Sequence, residues 1–449
     1  LALCGLQRPL NICALIFTTA NHDLSTTLWD TWLYKAPDGF VLNYLAAHRS
    51  THMWNSVGTA LSSDGVHFAD TGVSVRKDCA SEPDDWEAQP VNGSDCSVWM
   101  GSGSVWKRLA ADGGAAAEDE FVINYSQQYD CGVGDCQAAF FATSKNLVRW
   151  VPVASDALQN GGDVFEVDEA LYMKPGRWDT ITVLPREGGG YWGYWTAQPK
   201  PSPRAPVGSP CAGKSCGAGF GWSMDGLNWT ALPTPGPFST LGLAPEVGGV
   251  AQLGGKVYML KTFLFESESP NGTFTPVAKN HNFFGQEGWS RFPRLWGPSY
   301  TGDPDLMLVT HQQCNVWRSY YVGLVKRAVL GRDGVLRVQW WEANDALQGD
   351  SLALRPANSS LGTGCEDGSC SQTACSGSCL GSGLWLEGTV GRGEAATGVW
   401  MQTATGGGFA FTVSTSDPSN VTFALGPTAS AEWSLSLSLS LSLSLSLSL

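Results

Sequence analysis

The chain has 449 residues, 43% of them apolar and only 15% charged, enough to build one large core or two. Its formal charge of −14 excludes a polyanion such as nucleic acid as the natural partner, because such binding needs a basic surface. Abundant Gly (54) and Trp (20) favour short strands and tight turns over helices, and Trp-lined clefts suit the apolar faces of neutral sugar rings.

Residues 1–27 form an N-terminal segment. Its apolar run Leu10–Ala20 is too short to cross a bilayer and is expected to be a signal-peptide remnant or a first strand. No other stretch reads as a transmembrane helix, so no membrane partner is expected. Leu28-Trp29-Asp30-Thr31-Trp32-Leu33-Tyr34 sets an acid at the head of a strand-like run, and Asp38-Gly39 marks a hairpin. A phrase of strand, polar turn and aromatic-led strand then recurs. Aligned on Ser63, Ser144 and Ser223, it returns about every 80 residues, the signature of propeller blades made of short strands. Phe121–Ser126 and Gly190–Thr196 read as inner strands before the second and third phrases. Val257–Phe263, Asp305–His311, Tyr320–Val325 and Leu336–Trp341 follow as further strands.

The fold class expected is all-β: a five-bladed β-propeller over 28–343, followed by a partial β-sandwich. Residues 344–383 are a Gly/Ser/Cys-rich linker, 384–430 carry the partial sandwich, and 431–449 are a Ser-Leu tail with no packing information. Thirteen Cys fall mostly in close pairs: Cys79/Cys96, Cys131/Cys136, Cys211/Cys216 and Cys365/Cys370/Cys375/Cys379. The spacings suit disulfide-closed loops. The last cluster invites a zinc reading, but no His lies near it and the usual two-residue spacing is missing. Sequons at Asn92, Asn124, Asn228, Asn271, Asn358 and Asn420, with the Cys pairs, favour a secreted or vacuolar protein. No metal or other cofactor is expected. The oligomeric state is not readable.

Two further stretches match the first acid. Gly176-Arg177-Trp178-Asp179-Thr180-Ile181-Thr182-Val183-Leu184 repeats the Trp-Asp-Thr form, and Ala244-Pro245-Glu246-Val247-Gly248-Gly249-Val250 sets a glutamate just before a strand. In a propeller the first residues of inner strands point into one central funnel. Acetal cleavage needs two carboxyl groups across one bond, one donating a proton and the other attacking carbon or activating water. Asp30, Asp179 and Glu246 are the catalytic candidates. Asp23, Asp168 and Glu169 sit in polar surroundings that read as solvated turns. Trp54, Ser104, Tyr125, Trp195, Arg294 and His311 are candidate sugar-binding residues, the tryptophans also reading as core.

LWDTWLYKAPDGFVLNYL, RWDTITVL and APEVGGVAQLGGKVYML, in that order, resemble the three acid blocks of five-bladed propeller glycosidases of the invertase and fructan-hydrolase type, glycoside hydrolase family 32. They also resemble related enzymes of arabinofuranosides and xylosides. The likeness spans about Leu28–Trp341, with Leu384 onward similar to the start of the family's trailing sandwich. It implies Asp30 as nucleophile, Asp179 as transition-state stabiliser and Glu246 as acid/base, in a retaining β-fructofuranosidase. Asp30 lacks the family's preceding Asn and following Pro, Asp179 is flanked by Trp178 and Thr180 in place of Arg and Pro, and Glu246 precedes Val247 in place of Cys. Those departures keep two alternatives in view: an inverting arabinofuranosidase- or xylosidase-like enzyme, and a non-catalytic glycan-binding propeller.

Overall fold

The computed structural model describes residues 26–48, 54, 56–77, 90–91, 100–114, 119–153, 164–200, 217–234, 246–260, 263–283, 290–314, 320–323 and 325–347, and three strands within 397–426. These residues divide into two units, one running to Ala346 and one beginning at Leu347.

The first unit is a five-bladed β-propeller. Each blade is an antiparallel sheet drawn from one consecutive stretch of chain. Blade 1 runs Thr26–Ala36, Gly39–His48, Ser56–Ser62 and Ala69–Lys77, with Pro90–Val91 added in parallel at its edge. Blade 2 opens on the broken strand Met100–Gly101 and Val105–Lys107, then Phe121–Asp130 and Asp135–Ser144, with Val151–Pro152 and Val164–Phe165 outside. Blade 3 comprises Trp178–Pro185, Tyr191–Ala197, Gly219–Ser223 and Trp229–Leu232. Blade 4 comprises Gly249–Leu253, Lys256–Leu260, Leu264–Ser267 and Thr275–Pro276. Blade 5 comprises Ser290–Trp296, Met307–Cys314, Lys326–Leu330 and Leu336–Trp340, with Tyr320–Val322 also paired to Met307–Cys314. The stretches at Phe121 and Tyr191 are therefore second strands. The innermost strand precedes each of them.

The ring closes through side chains. Trp341, just past the last strand, packs edge-on against Phe40 of blade 1 with ring centroids 5.5 Å apart. Between blades the core is apolar and holds six fully buried tryptophans, Trp32, Trp106, Trp150, Trp178, Trp195 and Trp296. Behind the innermost strand of blade 3, Phe165, Tyr172, Trp178 and Trp195 form one aromatic cluster with centroids 5.0–6.3 Å apart.

The recurring phrase is one turn used three times, in a register one residue from that read off the sequence: Ser62, not Ser63, matches Ser144 and Ser223. Each serine hydroxyl accepts a backbone N–H from Gly65, Leu147 or Gly226. Each Asp or Asn two residues on accepts two further N–H groups. Gly65, Leu147 and Gly226 all take positive φ, the backbone turn that this packing of donors requires.

The second unit shows a three-stranded antiparallel sheet of Thr397–Gln402, Gly408–Val413 and Val421–Gly426. The linker expected from 344 starts later: Glu342–Leu347 is a helical turn in which Asn344 is buried and donates to the Val325 carbonyl, and the first unit runs to Ala346. The rest of the linker, the strand expected at 383–390, the Ser-Leu tail and Leu10–Ala20 lie outside the described residues. The Cys131–Cys136 disulfide is formed; the other expected pairs lie outside the described residues. Asn124 is buried inside a strand and accepts the N–H of Ser104, so in the folded chain it is no glycan acceptor. Among the described residues no helix is long and apolar enough to cross a membrane.

Candidate active site

The innermost strands of blades 1, 2, 3 and 5 break register, each by one extra residue, whereas that of blade 4 pairs without a break. In blade 1 Trp29 faces Leu45 and Thr31 faces Tyr44, which leaves Asp30 without an opposing residue. In blade 3 Thr180 and Ile181 together face Trp195. In blade 5 Phe292 and Pro293 together face His311. In blade 2 Ser102, Gly103 and Ser104 span Asn124 and Tyr125. Such bulges re-aim side chains. Asp30 and Thr180 adopt φ of 33° and 55°, a left-handed conformation that is costly for a β-branched threonine and persists only where neighbours hold it.

The bulges of blades 1 and 3, with the segment leading into blade 4, bring Asp30, Asp179 and Glu246 together around two arginines. Arg294 forks onto Asp30, with Nε 3.0 Å from Oδ1 and Nη2 on Oδ2, and both side chains are almost wholly buried. Arg294 also donates to the carbonyl of Val247, the residue after Glu246, and to Ser102 Oγ. Arg177 spans the other two acids: Nη2 lies 2.6 Å from Asp179 Oδ2 and Nη1 2.7 Å from Glu246 Oε1. That bridge keeps the nearest oxygens of Asp179 and Glu246 within about 8 Å of each other. Ser126 Oγ donates to Asp179 Oδ1 at 2.5 Å. Ser102 Oγ lies 2.8 Å from Thr180 Oγ1, which ties the Asp30 side of the site to the Asp179 side. Gly101 is there for space: a methyl group on it would stand 2.7 Å from Asp179 Oδ1 and collide with Ser126 Oγ.

Asp30, Asp179 and Arg294 form the floor. Glu246 and Arg177 face the opening, with side chains 43% and 34% exposed. Burial raises the Glu246 carboxyl above its ordinary value. Arg177 pulls it back down, and the charges of Asp30 and Asp179 push it up further, leaving it raised.

The candidate sugar-binding residues separate in two directions. Trp54 is half-buried and its ring lies against Trp29, the neighbour of Asp30, at 5.4 Å and 31°. Trp195 is fully buried in the aromatic cluster and has no face for a sugar. Tyr125 is buried against Phe140, and Ser104 is buried with its hydroxyl on the Ile181 carbonyl. Arg294 spends its donors on Asp30, Val247 and Ser102, so it orders the site in place of meeting sugar hydroxyls. The side chain of His311 lies outside the described residues. Of the weaker acids, Asp168 caps a turn by accepting the Ala170 N–H and Glu169 pairs with Lys174, whereas Asp23 lies outside the described residues. Arg177, Ser126 and Ser102 had no role in the sequence reading, although Arg177 stands two residues from Asp179 in the quoted stretch. Among the described residues no cluster of His, Cys, Asp and Glu could hold a metal ion.

No protein-family model matches the chain, and no curated protein matches it. Solved structures do. A levansucrase mutant from B. subtilis superposes with a TM-score of 0.50 at 11% identity, covering 72% of this chain and 88% of that one. A levansucrase mutant from B. megaterium gives a TM-score of 0.50 at 11% identity, covering 74% of this chain and 90% of the other. The chain is therefore a five-bladed β-propeller. Its fold is similar to that of these two levansucrases.

Proposed function

We propose that the protein is a glycoside hydrolase that cleaves β-fructofuranosides of the sucrose or fructan type by a retaining, two-carboxylate mechanism. The observation that supports this reading is the meeting of Asp30, Asp179 and Glu246, each from a different blade, around Arg177 and Arg294. Glu246, with its raised carboxyl at the opening, donates a proton to the leaving oxygen. Asp30 attacks the anomeric carbon and forms a glycosyl ester. Its oxygens carry lone pairs beyond those that Arg294 occupies. Glu246 then takes a proton from the water that breaks the ester, and Asp179 accepts hydrogen bonds from ring hydroxyls. With Glu246 protonated, two carboxylates balance two guanidiniums, and a neutral centre suits an uncharged sugar. The likeness in fold to proteins named levansucrase agrees with this substrate class. A secreted or vacuolar setting belongs to the same reading, supported by the Cys131–Cys136 disulfide.

One observation favours a second reading, a glycan-binding propeller without turnover: Arg294 holds both oxygens of Asp30. Purified protein incubated with sucrose, inulin and aryl arabinofuranosides separates the two. The hydrolase releases reducing sugar with retained anomeric configuration, and Glu246→Gln slows release by on the order of 10²–10⁴-fold. Sugar binding with no release from any of the three is the outcome that the second reading requires. Release with inverted configuration points to the inverting alternative, and an unchanged rate in the Gln variant removes Glu246 from the chemistry.

A further inference from the structure

An innermost propeller strand has one edge with no strand beside it, so its backbone groups there need other partners. In blade 3 that edge is buried, and three side chains from elsewhere in the ring meet it. Ser104, inside the bulge of blade 2, donates to the carbonyl of Ile181. The Tyr300 hydroxyl accepts the N–H of Val183 at 2.7 Å. Ser299 reaches the Val183 carbonyl at 3.4 Å. Tyr300 comes from the short helix Pro298–Thr301, which follows the innermost strand of blade 5 and is closed at Gly302 by a positive φ of 68°. Its ring packs on Trp296 at 5.2 Å. The two contacted residues, Ile181 and Val183, lie one and three positions past Thr180, the residue forced into left-handed backbone directly after Asp179.

We propose that Tyr300 and Ser104 are positioning residues: together they hold the blade 3 bulge that aims Asp179 at Ser126 and Arg177. Both are fully buried, so neither meets a substrate. Their hydroxyls fix the backbone on the axis side of the bulge, while the alternate residues Thr182 and Leu184 face the other side, opposite Tyr194 and Trp192. Without the Tyr300 hydroxyl the Val183 N–H is left buried and unpaired, and the strained conformation at Thr180 loses one of the contacts that impose it.

The proposal rests on the hydrolase reading only for its activity arm. Tyr300→Phe keeps the ring on Trp296 and removes one acceptor; Ser104→Ala removes one donor; Ser104→Thr restores it. Hydrogen exchange is followed by mass spectrometry on the wild type and the variants. Amides in 178–185 are expected to exchange on the order of tenfold faster in Tyr300→Phe and Ser104→Ala, with blade 4 unchanged and Ser104→Thr close to wild type. Unchanged exchange at 178–185, or equal acceleration in blade 4, overturns the proposal. In an active enzyme kcat falls on the order of tenfold in the same two variants, with KM within about twofold and the pH profile unmoved. An unchanged kcat overturns it as well. A wild type that cleaves none of the sugars defeats the hydrolase reading, and the exchange result then decides this proposal alone.

Discussion

Glu246 is the most exposed of the three acids, and still its carboxyl is raised, first by burial and then by the charges of Asp30 and Asp179 against the pull of Arg177. In the mechanism proposed above it is the proton donor and must be protonated, so kcat/KM is expected to fall as pH rises through its raised pKa. Arg177→Met removes the cation that lowers that pKa. The alkaline limb of the profile should therefore move to higher pH, alongside a lower plateau rate. A pH–rate series on both proteins checks this, and a limb moving toward acid would contradict the charge arrangement described above. The acids could be picked out from the sequence because each stands beside a strand-like run, although Asp30 lies within the strand Thr26–Ala36 and Glu246 ahead of Gly249–Leu253. Their partners could not. Arg294 lies 264 residues from Asp30, and nothing in its local sequence distinguishes a guanidinium that forks a buried carboxylate from one that meets sugar. Ser104 was misread, and Trp195 left open between sugar and core, for a related reason: an alternating strand pattern does not say which face looks into a funnel and which into a core.

The Ser-x-Asp turn shows what short-range chemistry reveals at the level of elements. A serine, an Asp or Asn two residues on, and a positive-φ residue recur at fixed spacing in the first three blades, so the repeat was legible there, but two adjacent serines, Ser62 and Ser63, left the register ambiguous by one. The bulges carried no comparable signal, because Asp30 and Thr180 are not the glycines that positive φ usually selects. The turn also makes a measurable contribution. Burial acts to raise the Asp225 carboxyl, but the N–H groups of Asn228 and Leu227, with both of their side-chain neighbours, outweigh it and hold it below its ordinary value. Its folded pKa is depressed, so this stabilisation is present above the unfolded carboxylate value and is lost as pH falls through the depressed one. Asp225→Ala should cost about 1.5–3 kcal/mol at neutral pH by urea unfolding, with the difference from wild type shrinking in acid. A pH-independent difference would assign the loss to packing.

At the scale of the molecule, composition and turn spacing were enough to expect an all-β propeller, since both report on strands that pair locally, and the count of five came from the length left for blades beyond the three repeated turns. Closure was not visible: its contacts include Phe40 with Trp341 and Asp30 with Arg294, pairs far apart in sequence that no local pattern links. Residues 15–346 form one unit, so a chain of these residues should fold without the rest and melt with native strand content by circular dichroism. In that fragment Trp341→Ala should lower stability by about 3–5 kcal/mol in urea, because it empties the contact between the last blade and the first. A loss well below 1 kcal/mol would mean that other contacts close the ring.

The Asp30–Arg294 fork joins the first blade to the last, and the helix bearing Tyr300 follows at once. During synthesis the ribosome delivers Asp30 early and its counter-ion more than half the chain later. A growing or prematurely terminated polypeptide thus holds a carboxylate destined for the interior with no cation to meet it. Competence is an all-or-nothing event that waits for the fifth blade, and shortened translation products ending before Arg294 are expected to be inert, however well their earlier blades have formed.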